Sequence, residues 1–137
     1  MGNRKGDARE RELRDVLDAR GFVVIRAAGS GSAPGFDLPD LLVGDGVHMW
    51  AVEVKAWNPS KKNTRYLDSE EADALRRMSD EFFPDCEARV GVRLDRNTTW
   101  FLPRLSDLSR TDSGNVPLNA DAVDEFPTLD DLLPDDD

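Results

Sequence analysis

The chain holds one cysteine, Cys86, and one histidine, His48, in 137 residues. A single thiol cannot close an intramolecular disulfide or build a cysteine-rich zinc site, and a single imidazole leaves histidine-based catalysis poorly supplied. His48 falls on the Trp50 face of a hairpin, where it reads as a packing residue. No apolar run is long enough to span a bilayer and no signal peptide opens the chain, so a soluble cytoplasmic protein is expected. Lysine is also scarce, at 4 against 14 arginines, while 28 acids against 18 bases leave a net charge of −10. Aspartate supplies 20 of those acids. This bias reads as adaptation to a salt-rich cytoplasm, where acidic surface maintains solubility and salt screens its repulsion of other anions. The competing reading is a partner's docking surface.

The charge is unevenly spread. Residues 1–66 carry 11 bases and 9 acids, a net of +2, whereas residues 67–137 carry 7 and 19, a net of −12. Within the first half, Pro39-Asp40 is followed by Leu41-Leu42-Val43, which reads as a buried strand. Asp45-Gly46 is a hairpin turn signal, and Val47 to Val54 reads as the returning strand. Antiparallel pairing then sets Asp40 beside Glu53. Alternation puts Glu53 and Lys55 on one face with Met49 and Ala51, and Trp50, Val52 and Val54 on the other. Two carboxylates and an ammonium so placed suit a hard divalent cation, Mg²⁺ with Mn²⁺ as a substitute, and phosphodiester hydrolysis. A surface hairpin with an i, i+2 charge pair is the plain alternative for these residues alone.

Neighbouring segments add to the pattern. Asp7 to Arg20 reads as a helix with Asp7 as N-cap, Glu10 as capping-box partner and Gly21 as the stop. Its apolar stripe is Leu13, Val16 and Leu17, with Glu10 at the edge of that face; Glu10 either closes the capping box or turns its carboxylate toward the core boundary. Phe22 to Arg26 reads as a strand, and Gly29 to Gly35 as a glycine and serine loop passing beside the proposed site. That loop's N–H groups and hydroxyls, Ser30 and Ser32 among them, are placed to hold a phosphate. Lys61, Lys62 and Arg65 form a basic stretch after the Glu53 strand, either solvated or in contact with a DNA backbone.

Lys5-Gly6, Glu10-Arg11, Gly21-Phe22, Val24-Ile25-Arg26, Gly29-Ser30-Gly31-Ser32, Leu38-Pro39-Asp40 and Glu53-Val54-Lys55, in this order and spacing, resemble an archaeal Holliday junction resolvase of the PD-(D/E)xK nuclease superfamily. Tyr66 with Glu70-Glu71-Ala72, and Arg110 to Asn115, extend the resemblance over roughly residues 4–116. It implies Glu10, Asp40 and Glu53 as metal-site acids, Lys55 as catalytic lysine and Ser32 as a serine beside the scissile phosphate. It further implies Arg11 as a DNA or structural contact and Arg26 as a basic residue leading into the serine loop, both counted among the DNA-binding residues. At Glu71, where the family pattern often has Gln, the chain departs.

The expected fold is therefore α/β and restriction-endonuclease-like, a mixed five-stranded sheet flanked by helices. Asp68 to Phe83 supplies the second helix, with an Asp68/Glu71 capping box and a stripe of Leu75, Met78 and Phe82. Ala88 to Leu94 and Thr98 to Leu102 supply two more strands. Residues 1–120 form the nuclease domain. Residues 121–137, with eight acids and no base, read as a frayed acidic tail open to a recombination or replication partner, although Thr128 to Leu133 can form one docking turn. The implied function is resolution of four-way DNA junctions by a homodimer. A related PD-(D/E)xK repair or restriction-like nuclease, or a non-catalytic junction-binding scaffold, are the alternatives.

Overall fold

The computed structural model describes residues 4–27, 32–33, 36–82 and 84–133. Helix α1 (Arg4–Asp18) leads into strand β1 (Val23–Arg26); two short strands, β2 (Ser32–Ala33) and β3 (Phe36–Asp37), form a hairpin of their own. Next come β4 (Leu41–Gly44), β5 (Met49–Trp57), β6 (Thr64–Leu67), α2 (Ser69–Arg77), β7 (Glu87–Leu94), β8 (Val116–Asn119) and the single turn α3 (Leu129–Leu132). The main sheet has the order β1-β4-β5-β7, antiparallel except for the parallel β5–β7 pair, and β6 pairs with β8 separately.

The expected hairpin forms with its expected faces. Asp45 turns the chain by accepting from the N–H groups of Val47 and His48 at 2.9 and 2.6 Å, and Gly46 takes a positive φ of 91° that favours glycine. Trp50 and Val52 join α1's Leu13 and Leu17, with Leu41 and Val43, in one core. Ala51 and Trp57 join α2's Leu75, followed by Met78, and β7's Val90, Val92 and Leu94 in the other. Gly91 of β7 lets α1 sit close: a Cβ there would lie 2.6 Å from a Leu13 methyl and 3.3 Å from Val52.

Four expectations are corrected. Helix α1 starts at Arg4, a turn before Asp7, so the Asp7/Glu10 capping box does not form and Glu10 is free to bond elsewhere. The Asp68/Glu71 box does form, but α2 passes into a π-helical turn at Met78–Phe82, which leaves Phe82 58% exposed; Phe83 lies outside the described residues. The fifth strand is present only as bridges. Phe101 exchanges two hydrogen bonds with Val92, whereas Pro103 offers β7 a carbonyl but no N–H, and Leu102 donates instead to Pro127 at 2.7 Å. Finally, residues 121–133 are packed rather than frayed. Val123 is fully buried, Leu129 nearly so, and Arg20 binds the Asp130 carboxylate and the Leu133 carbonyl at 2.7 and 2.8 Å. The docking turn forms because Thr128 and Asp131 close a capping box that holds Leu129 inward.

Replacing Gly91 by Val should destabilise the protein by about 1–3 kcal/mol through overpacking against Leu13. Denaturant unfolding would test it. In the Leu13→Ala background the penalty should shrink, because the methyl it strikes is gone; a fully additive double variant would remove this account of the close approach.

Candidate active site

The site is built where β4 stops and β5 continues. The register pairs Leu41 with Val52, so the next residues along, Asp40 and Glu53, meet at the end of the ladder. Beyond that point β5 has lost its β4 partner, and the Val54 N–H donates to Asp40 Oδ2 at 2.8 Å instead. Asp40's own carbonyl is held by the Ala27 N–H at 3.0 Å, and Pro39 before it is buried. Backbone and side chain together therefore fix this carboxylate.

Glu53 is 9% exposed and shares a hydrogen bond with Asp40. Burial, reinforced by the negative charges of Asp40 and Glu71, pushes the Glu53 carboxyl from its ordinary 4.5 up to about 9. Burial also raises Asp40, against the opposing pull of the Val54 N–H, the Glu53 hydrogen bond and Lys55. At neutral pH the pair accordingly holds one proton between two carboxylates, as closely placed acids do.

Lys55, 8% exposed, lies two residues on along the same face. Its Nζ donates to Glu71 Oε2 at 3.0 Å. Glu71 Oε1 accepts from the Asp68 N–H at 3.0 Å, while the Glu71 N–H donates to Asp68 Oδ1 at 2.8 Å. The capping-box glutamate of α2 thus holds the lysine with its second oxygen. The Asp68/Glu71 spacing predicts a helix cap at Glu71; the geometry adds its contact with Lys55. The signal was present in the i+3 spacing from Asp68, but that spacing says nothing about where the spare oxygen points.

Glu10 comes to the neighbourhood of Asp40 from α1, close enough for each charge to act on the other, and burial raises its carboxyl first of all. Its Oε1 accepts from Arg26 Nε at 3.1 Å, and Arg26 Nη2 donates to Asp7 at 2.9 Å. Arg26, expected at DNA, is thereby occupied by two acids. Among the described residues no three acids are gathered closely enough to hold a metal ion as they stand. The expected trio of Glu10, Asp40 and Glu53 is a bonded pair with a third acid held aside by an arginine.

The remaining expected residues fall around this centre. Ser30 lies outside the described residues, and Ser32 is described only as part of β2. Arg11 is exposed on α1, and Lys61, Lys62 and Arg65 line a groove at the far end of β5. Arg110 to Asn115 serves the helix next to the site: Arg110 pairs with Asp73 at 2.9 Å, and Asn115 Oδ1 accepts from the Ser69 N–H at 2.9 Å. Among the described residues no helix is long and apolar enough to cross a membrane.

Comparison with known proteins matches this arrangement to one family. A crossover junction endodeoxyribonuclease Hjc of Archaeoglobus fulgidus is 37% identical over 108 residues, covering 79% of this chain and 74% of its own length. One from Sulfurisphaera tokodaii is 28% identical over 131 residues, covering 94% and 85%. The 1.6 Å structure of Archaeoglobus fulgidus Hjc, described as a Holliday junction resolvase from an archaeal hyperthermophile, superposes with a TM-score of 0.78 at 29% identity, over 93% of this chain and 98% of that one. The family model described as archaeal Holliday junction resolvase (Hjc) matches residues 1–133, and the chain belongs to that family.

Proposed function

We propose that this chain is a structure-selective endonuclease that resolves four-way DNA junctions by metal-dependent phosphodiester hydrolysis, nicking opposed strands in pairs during recombination and repair. The observation that carries this reading is the Asp40–Glu53 pair: a half-buried and a buried carboxyl, hydrogen-bonded to each other beside a buried lysine, in a chain of the resolvase family. The two acids turn hard oxygen donors toward one another, which suits Mg²⁺, with Mn²⁺ as substitute. Asp40 and Glu53 would hold it, with Glu10, now bonded to Arg26, as the third acid. When bound, the cation supplies Lewis acidity at a phosphoryl oxygen and a water acidic enough to attack near neutral pH.

The protein's own groups do the rest. Asp40 stays aimed because Val54 and Glu53 bind its oxygens. Lys55, kept in place by Glu71, balances the charge that gathers on phosphorus as one P–O bond forms and the opposite one breaks. Ser32 sets a hydroxyl beside the scissile phosphate. Ser30, Arg11, Lys61, Lys62 and Arg65 contact the backbone, while Arg26 acts through Glu10. The acidic, Asp-rich surface belongs to a cytoplasmic protein of a halophile, whose salt screens the −12 half from DNA.

Paired nicks need two sites, and the surface offers a place for a second copy. Strand β1 is an edge of the main sheet, yet Val23 and Ile25 are 71% and 61% exposed. With Leu42, Val47 and Met49 they line a concave face of about 530 Å³. An apolar edge of this kind is a liability unless covered, and a twofold-related copy covers it. Light scattering in molar KCl should give twice the chain mass, and Ile25→Asp should give the monomer; a monomeric native chain would remove the dimer.

Asp40→Asn and Glu53→Gln should each slow junction cleavage by at least about 100-fold, the scale on which losses around a metal site act, with junction binding retained. Lys55→Ala should cost about 10²–10³-fold in single-turnover rate. Cleavage of a synthetic four-way junction, duplex and single strand with Mg²⁺ at high KCl tests both statements. A native rate in either acid variant would overturn the site.

The shared proton adds a pH dependence. Unfolded Glu53 ionises near 4.5 and folded Glu53 near 9, so the stability this group contributes is complete below 4.5 and lost as pH climbs toward 9. In chelator, wild type should therefore fall behind Glu53→Gln in melting temperature between pH 5 and pH 9. Parallel curves across that range would show that Glu53 holds no such proton.

A further inference from the structure

At the end of β5 the chain forms a groove of about 220 Å³ whose walls include Arg9, Val54, Lys61, Lys62 and Arg65. Among the described residues no carboxylate lines it, although acids outnumber bases 28 to 18 in the chain. Most of the arginines elsewhere already reach an acid: Arg20, Arg26, Arg76, Arg89, Arg93 and Arg110 all do. Lys61 and Lys62 reach none among the described residues. Their loop is nonetheless ordered by Asn58, whose carbonyl accepts from both lysine N–H groups at 3.0 and 3.2 Å and whose side chain accepts from the Ser60 N–H at 2.9 Å. Arg65 Nη1 donates to the Ala56 carbonyl at 3.3 Å, on the stretch of β5 that extends past β4. Two unneutralised ammonium groups on a fixed turn, with Arg65 beside them, form a place for an anion; Arg9 on the same wall is already paired with Glu12 at 2.7 Å and Asp95 at 3.4 Å.

The groove borders the strand that carries Glu53 and Lys55. Val54, one of its walls, is the residue whose N–H holds Asp40. A strand advances about 3.3 Å per residue, so the groove wall at Trp57 lies about 7 Å along β5 from Lys55. A DNA strand advances 3.4 Å per nucleotide along its axis, and about twice that from one phosphate to the next, which makes that offset one or two nucleotides.

We infer that this groove seats a backbone phosphate of the DNA strand one or two nucleotides from the scissile one, with Lys61 and Lys62 as its principal ligands. The inference rests on the nuclease reading and adds to it the path of the strand. In a protein whose overall charge repels DNA, an acid-free groove beside the catalytic acids sets which way the strand leaves the site. Lysine suits the task because its ammonium is a mobile point charge that meets a phosphate without a fixed bidentate geometry.

The test is junction binding by the full-length chain as a function of KCl, in chelator, with wild type, Lys61→Gln/Lys62→Gln, Lys61→Arg/Lys62→Arg and Arg104→Gln. Arg104 pairs with Asp107 next to Arg89, at the opposite end of β7 from the groove. The double Gln variant should raise Kd several-fold and reduce the log–log salt slope by about 0.9 for each groove that holds its phosphate on a duplex arm, while the double Arg variant restores both and Arg104→Gln alters neither. Unchanged Kd and slope in the double Gln variant, or an equal loss in Arg104→Gln, would overturn the groove while leaving the nuclease reading intact, provided wild type cuts junctions with Mg²⁺. A wild type that neither binds nor cuts them would overturn the nuclease reading itself and the groove with it.

Discussion

The hydrogen bond from the Val54 N–H to Asp40 Oδ2 is the constraint on which the rest of the site depends. It exists because β5 is longer than β4. Where the ladder ends, an inward N–H would be left without a partner, and an unpaired buried donor costs about 1–3 kcal/mol. A carboxylate takes that place, so Asp40 completes the backbone pairing and faces Glu53 at once. The same surplus length leaves the Ala56 carbonyl to Arg65 and opens the space in which the basic groove lies. One mismatch in strand length thus creates both the acid pair and the positive surface next to it.

Charge is organised by partnership rather than by sum. Arginine, with its planar donors, can bind two acids at once, and Arg26 does so with Asp7 and Glu10. Arg93 likewise reaches Glu12 and Asp95, and Glu12 also accepts from the Trp100 indole. These pairs use up positive charge inside the fold. The lysines behave differently: Lys55 is buried against a single glutamate, and Lys61 and Lys62 remain open. Lys55, Lys61 and Lys62, three of the four lysines in the chain, therefore sit where a movable cation is useful.

Glu71 shows how helix formation and site geometry share one residue. Its Oε1 belongs to the cap of α2 and its Oε2 to Lys55. Any shift at the start of that helix would be felt by the lysine. The start is in turn secured by Asn115 on Ser69 and by Arg110 on Asp73, which gives the segment near residue 112 a structural part in a site it does not touch.

Much of this was readable in the chain itself. The alternation of Met49 to Val54, the Asp45-Gly46 turn and the Asp68/Glu71 spacing follow from local geometry, and a hairpin with one reading of its hydrophobic faces can bring Asp40 to only one neighbour. Local rules failed where a side chain had two partners to choose from. Asp7 and Glu10 have the spacing of a cap, but the helix begins a turn earlier at Arg4, and Arg26 on the next strand pairs with both acids. Thr98 to Leu102 had the pattern of a strand, but Pro103 broke its ladder and Pro127 competed for Leu102. The acidic final segment read as tail because its anchors, Arg20 and the core that receives Val123 and Leu129, are distant in sequence. Spacing along the chain determines what lies within a few residues; which of several charged groups pair, and which cation is left for a phosphate, is decided only when the packed helices and sheet bring the competitors to one place.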